Sequence, residues 1–429
     1  ASAPLPLPDK PSIAVLPFTN IGGDARQERL ADGITEDVIT DLSRYRDLFV
    51  IASNSVFTYK GKAVSVPQVG RELGVRYVLE GSIQTSGDRV RVTAQLIEAS
   101  SNAHVWSERY DRPLQEIFDL QSEVTQKIAA ALGSRVYSSD AANAKRKPPA
   151  SLQAYDYYAL GRELLNQQAN QTKEVVLKAE EFLRRAIELD PQFARAYEGL
   201  SEVYELEANF GVGQEHPGAL SEKAMAMALK AVALDSSDAK AYARLGFDYM
   251  ILNDFDHAMA AFEQAYSLNP NDPFVLILYG IQLPIVGRAK EGVEMVNRAF
   301  RLNPHHPDWY NFSDDPFYAT GQYDQAIAMI RRSTGVPLWP QMVLAMSYGQ
   351  LGRQAEAAAA VAELSRVFPD LSFERVLSEQ GGIPDQPTFA HYLDGARKAG
   401  IRDCATPEEL QKYPKMTHLA FCDAKRATN

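Results

Sequence analysis

The stretch "AKAYARLGFDYMILNDFDHAMAAFEQAYSLNP" (239–270) sets the frame for much of the chain. With Ala239 as position 1, Tyr242 stands at 4, Leu245 at 7, Gly246 at 8 and Tyr249 at 11. Ala258 stands at 20, Phe262 at 24, Ala265 at 27 and Pro270 at 32. Small residues at 8 and 20 let two helices cross closely. Large residues at 4, 7, 11 and 24 fill the space between them. Proline at 32 has no N–H to continue the second helix, so the unit ends there.

The frame recurs from Pro273 (Gly280, Gly292, Ala299, Pro304), from Pro307 (Phe317, Ala326, Ile330) and from Leu338 (Leu344, Ala345, Tyr348, Ala357, Pro369). Upstream it fits from Ala194 (Tyr197, Leu200, Ser201, Tyr204, Ala224, Ala231), with an inserted turn "NFGVGQEHPG", and from Ala154 (Tyr157, Leu160, Gly161, Leu164, Ala179, Ala186, Pro191), with a lengthened turn "QQANQTK". Recurrence at a near-constant period resembles the tetratricopeptide repeat (TPR) family, with about six units over 151–371. The resemblance implies an all-α TPR superhelix.

Residues 11–137 read differently. "SIAVLPF" (12–18) and "LFVIAS" (48–53) are short buried strands. Residues 27–46 form a helix with Leu30, Ile34, Val38 and Leu42 on one stripe. "VPQVGRELG" (66–74) is a short helix begun by Pro67 and stopped by Gly74. Residues 76–111 give three strands. In the second of them Val90, Val92, Ala94 and Leu96 face inward, and Arg89, Arg91, Thr93 and Gln95 face water. A long amphipathic helix over 114–132 closes a mixed α/β domain. "IAVLPF", "LADGITEDVITDLSR", "VIASNSVFTYKGKAV", "VGRELGVRYVLEGSI", "DRVRVTAQLIEA", "HVWSERYD" and "IFDLQSEVTQKIAAAL" occur in the order of the TolB-like (FlgO-like) amino-terminal domain, which this block resembles. That resemblance implies an α/β sandwich without established catalytic residues.

The fold class is therefore an α/β mixed-sheet N-terminal domain plus an all-α TPR superhelix. Residues 1–10 are a Pro-rich leader, 138–150 a linker with a basic triplet, and 372–429 a capping segment of two short helices around a Gly-Gly break. The leader reads as a linker trailing a signal peptide, a membrane helix or another domain.

The chain has 429 residues, a net charge of −11 and a pI of about 5.3. That balance speaks against general nucleic-acid binding, which needs a basic face. No apolar run reaches the ~20 residues of a membrane span. "KGKAVSVPQVGRELG" (60–74) hints at a phosphate loop, but Ala63 follows Lys62 where a hydroxyl is needed, and Val56 replaces the first glycine. His305 and His306 read as turn residues, and Asp32, Glu36, Asp37 and Asp41 as a solvated helix face. No catalytic constellation, metal site or cofactor site emerges, so the expectation is a non-enzyme without cofactors.

Repeat positions 2, 5, 9 and 12 of each first helix line a groove in the TPR family. Here they include Tyr155, Tyr158, Phe247, Met250, Phe274, Ile277, Ile281, Tyr318, Trp339, Met342 and Met346, an apolar set suited to a partner polypeptide. The competing expectation is that the carboxy-terminal segment folds back and fills the groove. The lysine of the chaperone-tail clamp is absent. The expected partner is a protein, with self-association open as well and a membrane tether upstream of Ala1 conceivable.

The order of domains resembles the non-catalytic half of bacterial adenylate cyclase-like and regulatory TPR proteins, which implies a scaffold or sensory module. The alternative is small-ligand sensing, of a nucleotide for example, by the α/β domain, relayed through the repeats. Cys404 and Cys422 lie in one short irregular segment with no other cysteine in the chain, and are expected as a disulfide in an oxidising compartment. The expected location is a periplasm, with the cytoplasm as the alternative.

Overall fold

In this computed structural model the amino-terminal sheet starts at β1 (Ser12–Val15), whose four residues are all buried. β2 (Thr19–Asn20) follows at once, and helix α1 (Ala25–Ser43) crosses the sheet. The Asp24 side chain caps α1 by accepting from the Arg26 N–H at 2.6 Å. β3 (Phe49–Val50), α2 (Ser53–Phe57) and α3 (Val66–Leu73) come next. Gly74, at φ +62°, adopts the left-handed conformation that ends α3. β4 (Tyr77–Ser86), β5 (Arg89–Glu98) and β6 (Ala103–Pro113) form a meander, and α4 (Ile117–Ala131) closes the domain. The described residues are 5–22, 24–133, 149–166, 172–210, 217–333, 336–380, 382–414 and 416–428. Most of the expected linker 138–150, the leader's first residues and parts of the two lengthened turns lie outside them.

The sheet order is β3-β1-β4-β5-β6, with β2 also beside β4. β1 runs parallel to β3 and β4, and β5 runs antiparallel to its two neighbours, β4 and β6. The apolar alternation is realised: Val90, Val92, Ala94 and Leu96 are buried, as are Ile34, Val38 and Leu42 of α1. The second expected strand is shorter than 48–53. The Ala52 N–H donates to the Leu302 carbonyl at 2.9 Å rather than to the sheet, and the chain turns into α2.

The repeats follow as helix pairs. These are α5 (Leu152–Asn166) with α6 (Lys173–Leu189), α7 (Ala194–Phe210) with α8 (Pro217–Leu234) and α9 (Ala239–Ile251) with α10 (Phe255–Leu268). Then come α11 (Pro273–Gln282) with α12 (Ala289–Leu302), α13 (Asp315–Ala319) with α14 (Tyr323–Ile330), and α15 (Leu338–Gln350) with α16 (Gln354–Val367). The frame is physical: a Cβ on Gly246 would come within 2.9 Å of the Phe262 ring, and one on Gly161 within 2.8 Å of Leu183. The fifth unit departs from it. Its first helix is split into a 3-10 turn (Asp308–Phe312) and the short α13, because Pro316 follows two aspartates and disfavours helix before it.

Two compact units emerge, one of residues 1–248, 259–276 and 299–307, the other of 249–258, 277–298 and 308–429. In the second, the carboxy-terminal segment is richer than two short helices. It holds α17 (Phe373–Gln380), α18 (Gln386–Ala399), α19 (Pro407–Lys412) and α20 (Ala420–Ala427). The structure joins Cys404 to Cys422, with Cα atoms 5.5 Å apart. Beside the bridge the buried Glu374 carboxylate accepts from both Arg426 Nη atoms, at 2.8 and 3.0 Å.

Candidate functional site: the inner face of the repeats

Glu198, Glu202 and Glu205 on α7 recur at i, i+4 and i+7, so they share one stripe. These are positions 5, 9 and 12 of the second repeat. Arg244 on the neighbouring α9 donates to all three, at 2.6, 2.5 and 2.6 Å. Arg162 on α5 reaches Glu202 at 2.5 Å. The Phe274 ring lies 4.9 Å from the Arg244 guanidinium, a cation–π contact. One turn along α9, both carboxyl oxygens of Asp248 are buried without a hydrogen-bond partner among the described residues.

Two guanidiniums thus face four carboxyls. Burial pushes Glu202 up, but Arg162 and Arg244 outweigh it and hold the group low. Burial raises Glu205, and Arg244 offsets this only in part. Burial and the neighbouring Glu205 raise Asp248 as well. The Glu202 and Glu205 side chains keep 19% and 15% exposure, so the carboxylate patch is not sealed. Phe247 and Phe274 beside it are half-buried.

At the first repeat the inner face is already occupied. Tyr155 is buried, donates to Asp37 of α1 at 3.2 Å and meets Phe118 of α4 edge-on at 5.0 Å. Gly33 of α1 leaves the room for its ring. The Arg195 guanidinium pairs with Asp37 and lies 5.3 Å from the Tyr158 ring. Asp37 and Asp41 are therefore not on a solvated face. Asp37 meets the repeats, and Asp41 accepts from Gln121 of α4 at 3.1 Å.

The α/β domain also rests on the turns between repeats. A Leu-[Asp/Asn] pair ends the second helix of four successive units, at Asp190, Asp235, Asn269 and Asn303. Asn269 Nδ2 donates to Ser43 Oγ at 2.8 Å, and Asn271 Nδ2 to the Ser43 and Tyr45 carbonyls at 2.9 Å each. Arg44 reaches the Ser237 carbonyl at 3.1 Å, and Ser55 Oγ donates to Asn303 at 2.7 Å. The His305 N–H, in the expected plain turn, donates to Ser55 Oγ at 2.9 Å.

In the second unit the apolar groove positions are not an open surface. Trp339 stacks on Tyr392 of α18 with ring centroids 5.6 Å apart, and Tyr318 meets the same ring at 4.7 Å. Asp315 accepts from Trp339 Nε1 at 2.7 Å and from Tyr392 Oη at 2.8 Å. A Cβ on Gly349 would come within 2.6 Å of the Ala399 backbone, so α15 and α18 touch main chain to main chain. Met250, Ile277, Tyr318, Met342 and Met346 are buried, and Ile281 and Trp339 half-buried. Of these positions, Tyr318 and Trp339 are covered by Tyr392 of the carboxy-terminal segment. Covering large apolar side chains gains roughly 25 cal/mol per Å² of surface removed from water. Arg162, Arg195, Glu198, Glu202 and Glu205 are absent from the apolar set. They occupy the same frame positions and were findable by reading that frame for charge.

A family model described as the HilA/YgeH-like transcriptional regulator, second domain, matches residues 9–127, and a tetratricopeptide repeat model matches 239–272. The α/β domain is thus similar to a HilA-type domain, and its TolB-like character stays a resemblance. The protein named "Putative adenylate cyclase 3" of Rhizobium meliloti (strain 1021) is 45% identical over 201 residues, covering 47% of this chain and 34% of that protein. Transcriptional regulator HilA of Salmonella typhimurium is 21% identical over 309 residues, 71% of this chain and 53% of HilA. The chain therefore spans about a third to a half of the length of these relatives. A crystal structure of a thermophilic TPR protein from Thermus thermophilus superposes with a TM-score of 0.34 and 15% identity, over 46% of this chain and 98% of its own. At that score the superposition adds nothing to what the helix pairs establish. The chain joins a HilA-like α/β domain to a tetratricopeptide repeat region.

Proposed function

We propose that this chain is a non-catalytic interaction scaffold, the regulatory part of an adenylate cyclase-like or transcription-regulator-like protein. Its partner polypeptide docks on the inner face of the second to fourth repeats, where Glu202, Glu205, Phe247 and Phe274 lie. One observation carries this reading: the half-open patch of Glu202 and Glu205, paired with Arg162 and Arg244, lies near the half-buried Phe247 and Phe274. Such a mixed surface suits a segment presenting polar and charged groups among apolar residues. The test is pull-down of the native-host partner followed by calorimetry with the purified pair. Phe247→Ala with Phe274→Ala should weaken the pair by ~2 kcal/mol, and Glu202→Gln with Glu205→Gln should reduce its salt sensitivity. Unchanged binding by both double variants moves the partner surface elsewhere, to the α/β domain for example.

The compartment belongs to the same proposal. A periplasmic site fits a disulfide between Cys404 and Cys422. Intact mass after alkylation without reductant, on protein from its native host, checks it. Two alkylated thiols would favour the cytoplasm instead.

A further inference from the structure

A cavity of about 540 Å³ opens in the α/β domain just past the carboxyl end of β1, lined by Leu16–Asn20, by the 59–62 turn and by one face of β4 and β5. From β1 the chain runs into β2, which pairs with β4, and the cavity lies beside this β1–β2 connection at the carboxyl end of β1, the end of the strands at which open α/β sheets take ligands. The volume falls within the roughly 300–1,000 Å³ of small-molecule sites.

The polar lining is unusual. Glu80 stands opposite Gln95 and Ser82 opposite Thr93 across the β4–β5 pair, and all four are half-buried. Among the described residues none of these four side chains has a hydrogen-bond or ion-pair partner in the chain. Half-buried groups of this kind hold water in the free protein and can exchange it for the polar atoms of a ligand. Across the cavity, Lys60 is held by Glu28 at 2.8 Å and Asp32 at 2.5 Å, which anchors the turn. Gly61, at φ +71°, then carries the chain to Lys62, whose ammonium has no partner among the described residues. One uncompensated cation and one uncompensated carboxylate thus flank a patch of amide and hydroxyl groups.

We propose that this cavity binds a small zwitterion, an amino acid or dipeptide, with its carboxylate toward Lys62, its ammonium toward Glu80 and its remaining polar atoms on Ser82, Thr93 and Gln95. A nucleotide fits poorly: Lys60 is already neutralised, and Glu28 and Glu80 face the same space. The site is separate from the partner surface of the repeats, so its failure leaves that reading standing.

Calorimetry on the full chain tests it, with the standard amino acids and L-alanyl-L-alanine as probes. N-acetyl-L-alanine and L-alaninamide serve as single-charge controls, and ATP and glucose as other classes. At least one zwitterion should bind with Kd below about 1 mM, and single-charge analogues at least about tenfold more weakly. Glu80→Gln and Lys62→Met should each weaken it about tenfold at unchanged melting temperature, since neither side chain has a partner to lose. No zwitterion binding up to about 10 mM overturns the proposal, as does binding indifferent to both substitutions or ATP binding at the same site.

Discussion

On α7 the inner-face positions are Glu198, Glu202 and Glu205, gathered by Arg244 of α9; on α13 and α15 they include Tyr318, Trp339, Met342 and Met346. One repeat frame thus carries two kinds of surface, and their fates differ. The aromatic and methionine positions recruit α18 and become core. Glu198 is buried beneath Arg244, while Glu202 and Glu205 stay partly exposed, which spares part of the solvation their burial would cost. An apolar inner face in a repeat protein is thus as apt to mark the seat of the chain's own next helix as that of a partner.

The comparison breaks most visibly at Arg244. Arg244→Ala leaves three carboxylates without their shared cation, and should cost ~3–5 kcal/mol in urea unfolding. A loss as small as that of a surface ion pair would show the network to be solvated. Tyr392→Ala probes the other face. It removes the ring stacked on Trp339 and a hydrogen bond to Asp315, and should cost about 3 kcal/mol with a red shift of Trp339 emission. An unshifted spectrum would mean that α18 does not cover that face.

Gly246→Leu tests the frame that both surfaces share. The added side chain meets Phe262, and overpacking of this kind costs ~1–3 kcal/mol in thermal or chemical unfolding. A parental melting curve would displace the frame.

The smallest effect concerns pH. Asp248 is raised to about 8 by burial and by Glu205, whereas an unfolded aspartate titrates near 3.9. Between these values the folded state holds a proton that the unfolded state has released. This group's contribution therefore falls as pH rises through that window. Asp248→Asn should raise stability by about 1 kcal/mol at pH 8 and change little near pH 4. An equal effect at both pH values would remove the titration from the account.

Much of this architecture was legible in the residues. The alternation of Val90, Val92, Ala94 and Leu96 marked a strand, Gly74 marked a helix end, and Gly246 with Phe262 marked a helix crossing. Each is a local pattern, read within one element or one helix pair. The break in the fifth unit was signalled by Asp314-Asp315-Pro316, yet the periodicity of Ala326 and Ile330 masked it. The site was only half legible. Glu198, Glu202 and Glu205 declare their common stripe by spacing, but the arginine that binds them stands on another helix.

Hydrophobic period determined by itself that this chain holds a mixed sheet followed by helical repeats, because period reports which side of an element faces its immediate partner. It could not report what arrives from far along the chain. Asp37 has the spacing of a solvated helix face, and only the fold brings Tyr155 and Arg195 against it. Trp339 has the spacing of an open groove, and only the fold lays Tyr392 across it. Burial is a property of pairs of surfaces, and the second surface of each pair lies beyond the reach of any local pattern.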